Sequence, residues 1–177
     1  MSDTDYAGQD RRRGGPDRRD PDHVTKVLIV DDHALFRVGI ANILGREPDF
    51  EIVGEAEDSR SAMDRALETS PDVVLMDLSL APPGGIETTQ RIKRELPSTA
   101  IVVLAVSEDE DALFDAIKAG AAAFLLKDIG PDDLVTVMRR VVAGEYLIND
   151  KVFSKPAVAS RVLKEFRELA VYGQDAA

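Results

Sequence analysis

Residues 27–45 read VLIVDDHALFRVGIANILG. The first four residues are apolar and β-rich, as in a strand that is buried on both faces of a parallel sheet. After the two aspartates, apolar residues recur at helical spacing, and Gly45 is placed to end the helix. The stretch therefore predicts one buried strand followed by one amphipathic helix.

The same unit recurs five times between Lys26 and Gly144. Helix ends are marked by Pro71, Pro97 and Gly120, and Ser59 or Ser61 can cap the second helix. Strict alternation of strands and helices predicts an α/β fold with a doubly wound, five-stranded parallel sheet in the flavodoxin-like order 2-1-3-4-5. The second strand carries charge and is expected at a sheet edge. The predicted strands are Lys26–Val30, Glu51–Glu55, Val73–Asp77, Ile101–Ala105 and Ala123–Lys127.

Residues 1–24 form a mixed-charge segment with five arginines and six aspartates. Such a segment cannot bury enough apolar surface to offset the entropy of ordering, so we expect a disordered, solvated tail rather than a phosphate-binding arm.

A further helix is predicted from Pro156 to Tyr172, after the five units. Its apolar residues are spaced alternately three and four apart, as in a short heptad seam. A seam this short is a weak coiled coil by itself, so the helix either packs back on the body or pairs with its twin in a dimer. The candidate dimer residues are Val162, Phe166 and Leu169.

The composition restricts the class of protein. A formal charge of −11, from 22 basic and 33 acidic residues, disfavours direct binding to a nucleic-acid backbone. The chain has neither an apolar run of the ~20 residues that a membrane span needs nor the apolar region of a signal peptide, so we expect a cytoplasmic protein with no membrane contact. The absence of cysteine excludes disulfides, thiolate catalysis and cysteine-ligated zinc.

Polar residues end three of the predicted strands: Asp31 and Asp32 end the first, Asp77 the third and Lys127 the fifth. Each alone has an ordinary structural explanation, such as a helix cap or a turn. Together they converge at one edge of the sheet, where like charges are costly unless a cation lies between them. A divalent ion such as Mg²⁺ suits these oxygen ligands, and a carboxylate at its centre can act as a nucleophile toward a phosphoryl group.

Several strings resemble the CheY-like receiver domains of NarL/FixJ response regulators over roughly residues 26–144. They are VLIVDDH (27–33), VLMDL (74–78), GGIE (84–87), KAGA (118–121) and FLLKD (124–128). The resemblance implies that Asp77 accepts a phosphoryl group from the phosphohistidine of a sensor kinase and that Lys127 contacts the phosphoryl oxygens. It also implies that Asp31, Asp32, Asp77 and the backbone carbonyl of Ser79 bind Mg²⁺ or Mn²⁺.

The resemblance also implies a signalling domain and not an enzyme, with only self-phosphotransfer and autodephosphorylation as chemistry. It divides the chain into a tail (1–24), a receiver (25–149) and a linker helix with a tail (150–177). Such regulators often form homodimers and bind DNA through a helix-turn-helix domain. We expect that domain to be missing here by truncation.

The sequence departs from this family at the position that reports phosphorylation. Ala105 stands where relatives carry Thr or Ser, so the hydroxyl that bonds the new phosphate is absent. Phe124 occupies the aromatic switch position and has no hydroxyl of its own. The hypothesis is that Asp77 can be phosphorylated but that the conformational response is weak or takes another route.

Three alternatives differ in class. A haloacid-dehalogenase-type phosphatase needs a second aspartate two residues after the nucleophile, where this chain has Ser79. A small-ligand flavodoxin-like module would want glycines and amides where this chain is acidic. The third alternative is a phosphorylation-independent module of the same fold that only binds or dimerises. His33 is interpreted as a surface residue and not as a ligand.

Overall fold

The computed structural model describes residues 21–174, apart from the side chains of Phe153 and of residues 170–174. The strands are β1 (Thr25–Val30), β2 (Phe50–Ala56), β3 (Val73–Asp77), β4 (Ala100–Ala105) and β5 (Ala123–Leu126). They pair in parallel in the order β2-β1-β3-β4-β5. The predicted doubly wound sheet is confirmed, and the charged strand β2 lies at an edge.

Each strand is followed by a helix. The helices are α1 (Ala34–Gly45), α2 (Ser59–Thr69), α3 (Gly84–Glu95), α4 (Glu110–Ala119) and α5 (Pro131–Val142). Asp109 caps α4, Gly120 ends it as predicted with a φ of 89°, and Pro131 begins α5. The predicted serine cap of α2 is wrong. Asp58 is the cap, and its carboxylate accepts the Ser61 N–H at 2.8 Å while Ser61 bonds back to the Asp58 N–H.

The sheet separates two apolar cores, because alternate residues of each buried strand point to opposite faces. Leu28, Val74 and Ile101 pack with residues of α2, α3 and α4 on one face. Val27 and Leu75 pack with residues of α1 and α5 on the other. Burial on both faces explains why the central strands carry unbroken apolar runs.

Two more helices follow α5: α6 (Ile148–Phe153) and α7 (Pro156–Gln174). The sequence interpretation missed α6, although Ile148 and Val152 are buried in the core beside α4. Val158 of α7 is also fully buried, whereas Phe166 and Leu169 are exposed. Of the two alternatives for this helix, the structure shows packing back on the body through one face.

The proposed division between receiver and linker at residue 149 falls inside α6 and stays a prediction. Residues 1–20 of the predicted tail lie outside the described residues. Within the tail, the His23 Nε2 atom lies 3.0 Å from an Asp72 carboxylate oxygen. Among residues 21–174, we find no helix with the length and hydropathy needed to cross a membrane.

Arg139 joins α5 to the loop between α1 and β2. Its Nη2 lies 2.8 Å from Glu47 Oε2, and its Nε lies 3.0 Å from Asp49 Oδ2. The hydrogen bond from Arg139 lowers the pKa of Asp49 below its ordinary value. We expect Arg139→Gln to cost up to about 1 kcal/mol, because the groups are largely exposed, and to lower the melting temperature by roughly 2–4 °C in thermal unfolding.

Because the pKa of Asp49 is lowered, the effect of Arg139→Gln on stability should depend on pH. The carboxylate contributes stability above its unfolded pKa, and that contribution is lost as the pH falls through the folded pKa. The difference between wild type and Arg139→Gln should therefore shrink on acidification. The matched control is Arg140→Gln, since the ion pair that Arg140 makes among residues 21–174 is a local one with Glu145. An equal loss of stability in both variants would contradict the assignment.

Candidate functional site

Four charged side chains meet at the carboxyl edge of the sheet. Asp31 follows β1, Asp77 ends β3, and both are fully buried. The Lys127 Nζ atom lies 2.7 Å from Asp31 Oδ2 and 3.3 Å from Asp77 Oδ1. The carboxylate of Asp32 lies beside them and is about half exposed. The structure thus brings together the residues on which the sequence prediction depended.

Backbone N–H groups hold the two buried carboxylates in place. Asp31 Oδ1 accepts the His33 N–H at 2.7 Å, and Asp77 Oδ1 accepts the Ser79 N–H at 2.9 Å. The start of α3 also approaches the site closely, since a Cβ atom at Gly85 would lie 2.3 Å from the Asp77 carbonyl oxygen. Only glycine permits this approach. The role of the Ser79 carbonyl oxygen stays a prediction.

Burial and charge shift the pKa values of the site in a consistent way. Burial raises the pKa of Asp77, and the neighbouring charge of Asp31 adds to this effect. Burial lowers the pKa of Lys127, but its hydrogen bonds and attraction to Asp31 and Asp77 outweigh that effect and raise the pKa overall. Lys127 therefore stays protonated. Ionisation of Asp77 is less favourable here than in water, unless a further positive charge binds nearby.

The donor set fits a divalent cation. Asp31, Asp32, His33 and Asp77 each offer one ligand atom, and these atoms lie within 4.8 Å of one another. Asp77 Oδ2 is buried and accepts no hydrogen bond from the described part of the chain. A hard ion with oxygen ligands, such as Mg²⁺, would satisfy that oxygen and balance the carboxylates.

The structure places three further side chains at the site that the sequence interpretation did not assign to it. The His33 Nδ1 atom lies 3.1 Å from Asp31 Oδ1 and 2.9 Å from Asp32 Oδ1. Phe36 presents its ring to the Lys127 Nζ atom, 4.9 Å from the ring centre, and Arg37 donates to the Asp31 carbonyl oxygen. Their signal in the sequence was position alone, since all three lie within one or two turns of the Asp31-Asp32 pair.

The two switch positions lie beside this edge. Ala105 ends β4 and is almost fully buried, and its carbonyl oxygen accepts the Lys127 N–H at 2.9 Å. Phe124 of β5 is also buried, and its ring lies under the Lys151 Nζ atom. Ser107 is exposed in the loop after β4. No side-chain hydroxyl is therefore supplied at the end of β4 itself.

A parallel sheet of this order, with acidic residues after β1 and at the end of β3 and a lysine after β5, defines the CheY-like receiver fold. The family described as the response regulator receiver domain matches residues 27–139. The chain belongs to this family, whose members are signalling domains.

Similar proteins are transcriptional response regulators. The chain is 40% identical over 130 residues to the transcriptional regulatory protein LiaR of Bacillus subtilis, covering 73% of this chain and 62% of LiaR. It is 34% identical over 124 residues to the nitrate/nitrite response regulator protein NarL of Escherichia coli, covering 70% and 57%. The matches thus span less than two thirds of these relatives.

A solved structure shows the same likeness. The two-component response regulator of the LuxR family from Aurantimonas sp. SI85-9A1 superposes with a TM-score of 0.66 at 32% identity, covering 70% of this chain and 88% of that chain.

Proposed function

We propose that this chain is the receiver of a two-component response regulator and that Asp77 accepts a phosphoryl group from a sensor histidine kinase. The observation that carries the proposal is Asp77 Oδ2, a buried carboxylate oxygen without a hydrogen-bond partner among the described residues. It lies in a cluster of acidic side chains with one lysine. Membership of the receiver family supports the same function.

The transfer step is a displacement at phosphorus. A carboxylate oxygen of Asp77 attacks the phosphorus of phosphohistidine, so an O–P bond forms while the N–P bond breaks. The departing imidazole nitrogen keeps the electron pair of that bond and takes up a proton. Later hydrolysis of the acyl phosphate restores Asp77 and releases inorganic phosphate.

The other residues of the site hold and neutralise the reacting groups. Asp31, Asp32, Asp77 and the Ser79 carbonyl would hold Mg²⁺ or Mn²⁺. When bound, the ion offsets negative charge on the phosphoryl oxygens. Lys127 is already held between Asp31 and Asp77, so its ammonium can move to a phosphoryl oxygen with little rearrangement.

The proposed output is control of homodimerisation and of transcription, with DNA contacted through a helix-turn-helix domain. The exposed residues Phe166 and Leu169 of α7 are candidates for the dimer contact. The alternative function is a phosphorylation-independent interaction module of the same fold. Ala105 favours it, because the family's usual reporter hydroxyl is absent.

Incubation with phosphoramidate tests the proposal. The intact protein should gain one phosphoryl group in the presence of Mg²⁺, and excess EDTA should prevent the gain. Mass spectrometry of the intact chain reads both results directly. Absence of any gain with Mg²⁺ would favour the interaction module instead.

A further inference from the structure

His33 occupies the N-cap position of α1, directly after Asp31 and Asp32, and its side chain does not cap the helix. Residues at this position usually have a short side-chain oxygen that accepts a free N–H of the first helical turn. The backbone of His33 is nevertheless well anchored. Its carbonyl oxygen accepts the Arg37 N–H at 3.1 Å, and its own N–H donates to Asp31 Oδ1 at 2.7 Å. The imidazole is therefore held on a fixed backbone but makes no contribution as a helix cap.

The imidazole contacts the carboxylates of the site instead. Its Nδ1 atom lies 2.9 Å from Asp32 Oδ1 and 3.1 Å from Asp31 Oδ1. One ring nitrogen of His33 also lies within 4.8 Å of a carboxylate oxygen of Asp77. The His33 side chain is 66% exposed, so an ion in solution can reach this side of the site. The site thus adds one nitrogen donor to three carboxylates.

The spacing of these atoms suits neighbouring positions around a six-coordinate ion. Ligand atoms about 2.1 Å from an octahedral ion lie about 3.0 Å from one another along an edge. The two distances from His33 Nδ1 to the oxygens of Asp31 and Asp32 lie on either side of that value. An independent observation also indicates a cation here. Asp77 Oδ2 is buried and accepts no hydrogen bond from the described residues.

An imidazole nitrogen changes which ion such a site prefers. Carboxylate, carbonyl and water ligands suit Mg²⁺ and Mn²⁺, whereas imidazole suits transition ions such as Fe²⁺, Ni²⁺ and Zn²⁺. Co²⁺ stands between Fe²⁺ and Ni²⁺ in the order of increasing affinity. A site with oxygen ligands alone would therefore discriminate less between Co²⁺ and Mg²⁺ than a site that includes His33.

We propose that His33 is a nitrogen ligand of the metal site and that it biases the site toward first-row transition ions such as Co²⁺ relative to Mg²⁺. The inference rests on the metal site of the proposed function. On binding, Nδ1 donates its lone pair to the ion, and Nε2 carries the ring proton. The contacts of Nδ1 with Asp31 and Asp32 then become contacts between neighbouring ligands of one ion.

Titration calorimetry of the whole chain with Co²⁺ or Mg²⁺ tests the bias. His33→Asn keeps a short polar side chain at the same position but removes the imidazole lone pair. Loss of an outer-shell partner of a metal ligand already costs about 10- to 100-fold in affinity. Loss of a direct ligand should therefore lower the ratio of Co²⁺ affinity to Mg²⁺ affinity at least about tenfold. Equal losses for the two ions would overturn the bias.

X-ray absorption by the Co²⁺ complex identifies the ligand directly. A bound imidazole adds scattering from its ring carbons, which carboxylates do not produce, and this signature should disappear in His33→Asn. His23→Gln is the matched control, because the chain has two histidines and His23 lies beside Asp72 at the amino edge of the sheet. Persistence of the signature in His33→Asn would overturn the assignment. Its absence from the wild type would mean that Nδ1 only forms hydrogen bonds with the carboxylates.

Phosphoramidate treatment with Mg²⁺ distinguishes the two possible failures. If the intact protein gains a phosphoryl group but bound Co²⁺ has no imidazole ligand, the role of His33 is wrong and the proposed function stands. If neither ion binds and no phosphoryl group is taken up, the proposed function fails and the role of His33 fails with it.

Discussion

Asp77→Asn should abolish phosphoryl uptake from phosphoramidate completely and raise the melting temperature at neutral pH. Uptake is lost because the amide has no nucleophilic carboxylate oxygen. The side-chain shape is kept, and the amide oxygen that takes the place of Oδ1 can still accept the Ser79 N–H. Stability rises because the substitution removes a buried charge that faces Asp31. Intact mass and thermal unfolding measure the two effects.

The stability gain of Asp77→Asn should increase as the pH rises from acid toward neutral. The pKa of Asp77 is raised in the folded protein, so folding favours its protonated form. That stability is fully present below the unfolded pKa and is lost as the pH rises through the folded pKa. The asparagine side chain of the variant does not titrate, so the variant loses no such stability over this pH range. The melting temperatures of wild type and Asp77→Asn should therefore be similar in acid and diverge toward neutral pH.

Asp72→Asn is the control at the other end of the same strand. Asp72 immediately precedes β3 and is mostly buried, and its carboxylate accepts the Lys26 N–H. This variant should still take up a phosphoryl group, because Asp72 lies at the amino edge of the sheet. Loss of uptake in both variants would mean that the assay reports folding and not the nucleophile.

The sequence predicted the sheet and the meeting of its charged residues because both follow from periodicity. Buried parallel strands need apolar runs, and their carboxyl ends share one edge of the sheet. The sequence alone therefore predicts that Asp31, Asp77 and Lys127 lie close together. Contacts that depend on how side chains pack could not be predicted from periodicity. The helix α6 is too short to show a clear period, although Ile148 is buried. No local pattern in the sequence indicates that the Phe36 ring lies beside the Lys127 ammonium.

For a similar reason, the sequence could not decide whether α7 packs against its own domain or against a twin helix. A short seam of apolar residues fits a twin helix as well as it fits α4. The structure shows contacts between distant positions, such as the burial of Val158 in the core and the stacking of Arg161 over Phe114, which no local pattern reveals. Arg161 and Asp111, which form an ion pair, are 50 residues apart in the sequence, so their pairing is a property of the fold.

Ala105→Thr should strengthen the binding of beryllofluoride by roughly 10- to 100-fold. A hydrogen bond to a charged group contributes about 1.5–3 kcal/mol, and each 1.4 kcal/mol is tenfold in affinity. Ala105 is at the buried end of β4, and its carbonyl oxygen bonds the Lys127 backbone N–H, so a new hydroxyl would lie beside the same edge as Asp77. Titration calorimetry with Mg²⁺ present measures the change.

Ala105→Val isolates the hydroxyl, because valine has nearly the shape of threonine and no donor. If the hydroxyl is the missing part, threonine should bind beryllofluoride more tightly than alanine, and valine should not. Similar affinities for valine and threonine would mean that volume at the end of β4 matters and hydrogen bonding does not. Equal affinity in all three proteins would mean that the pocket satisfies the phosphoryl oxygens without position 105.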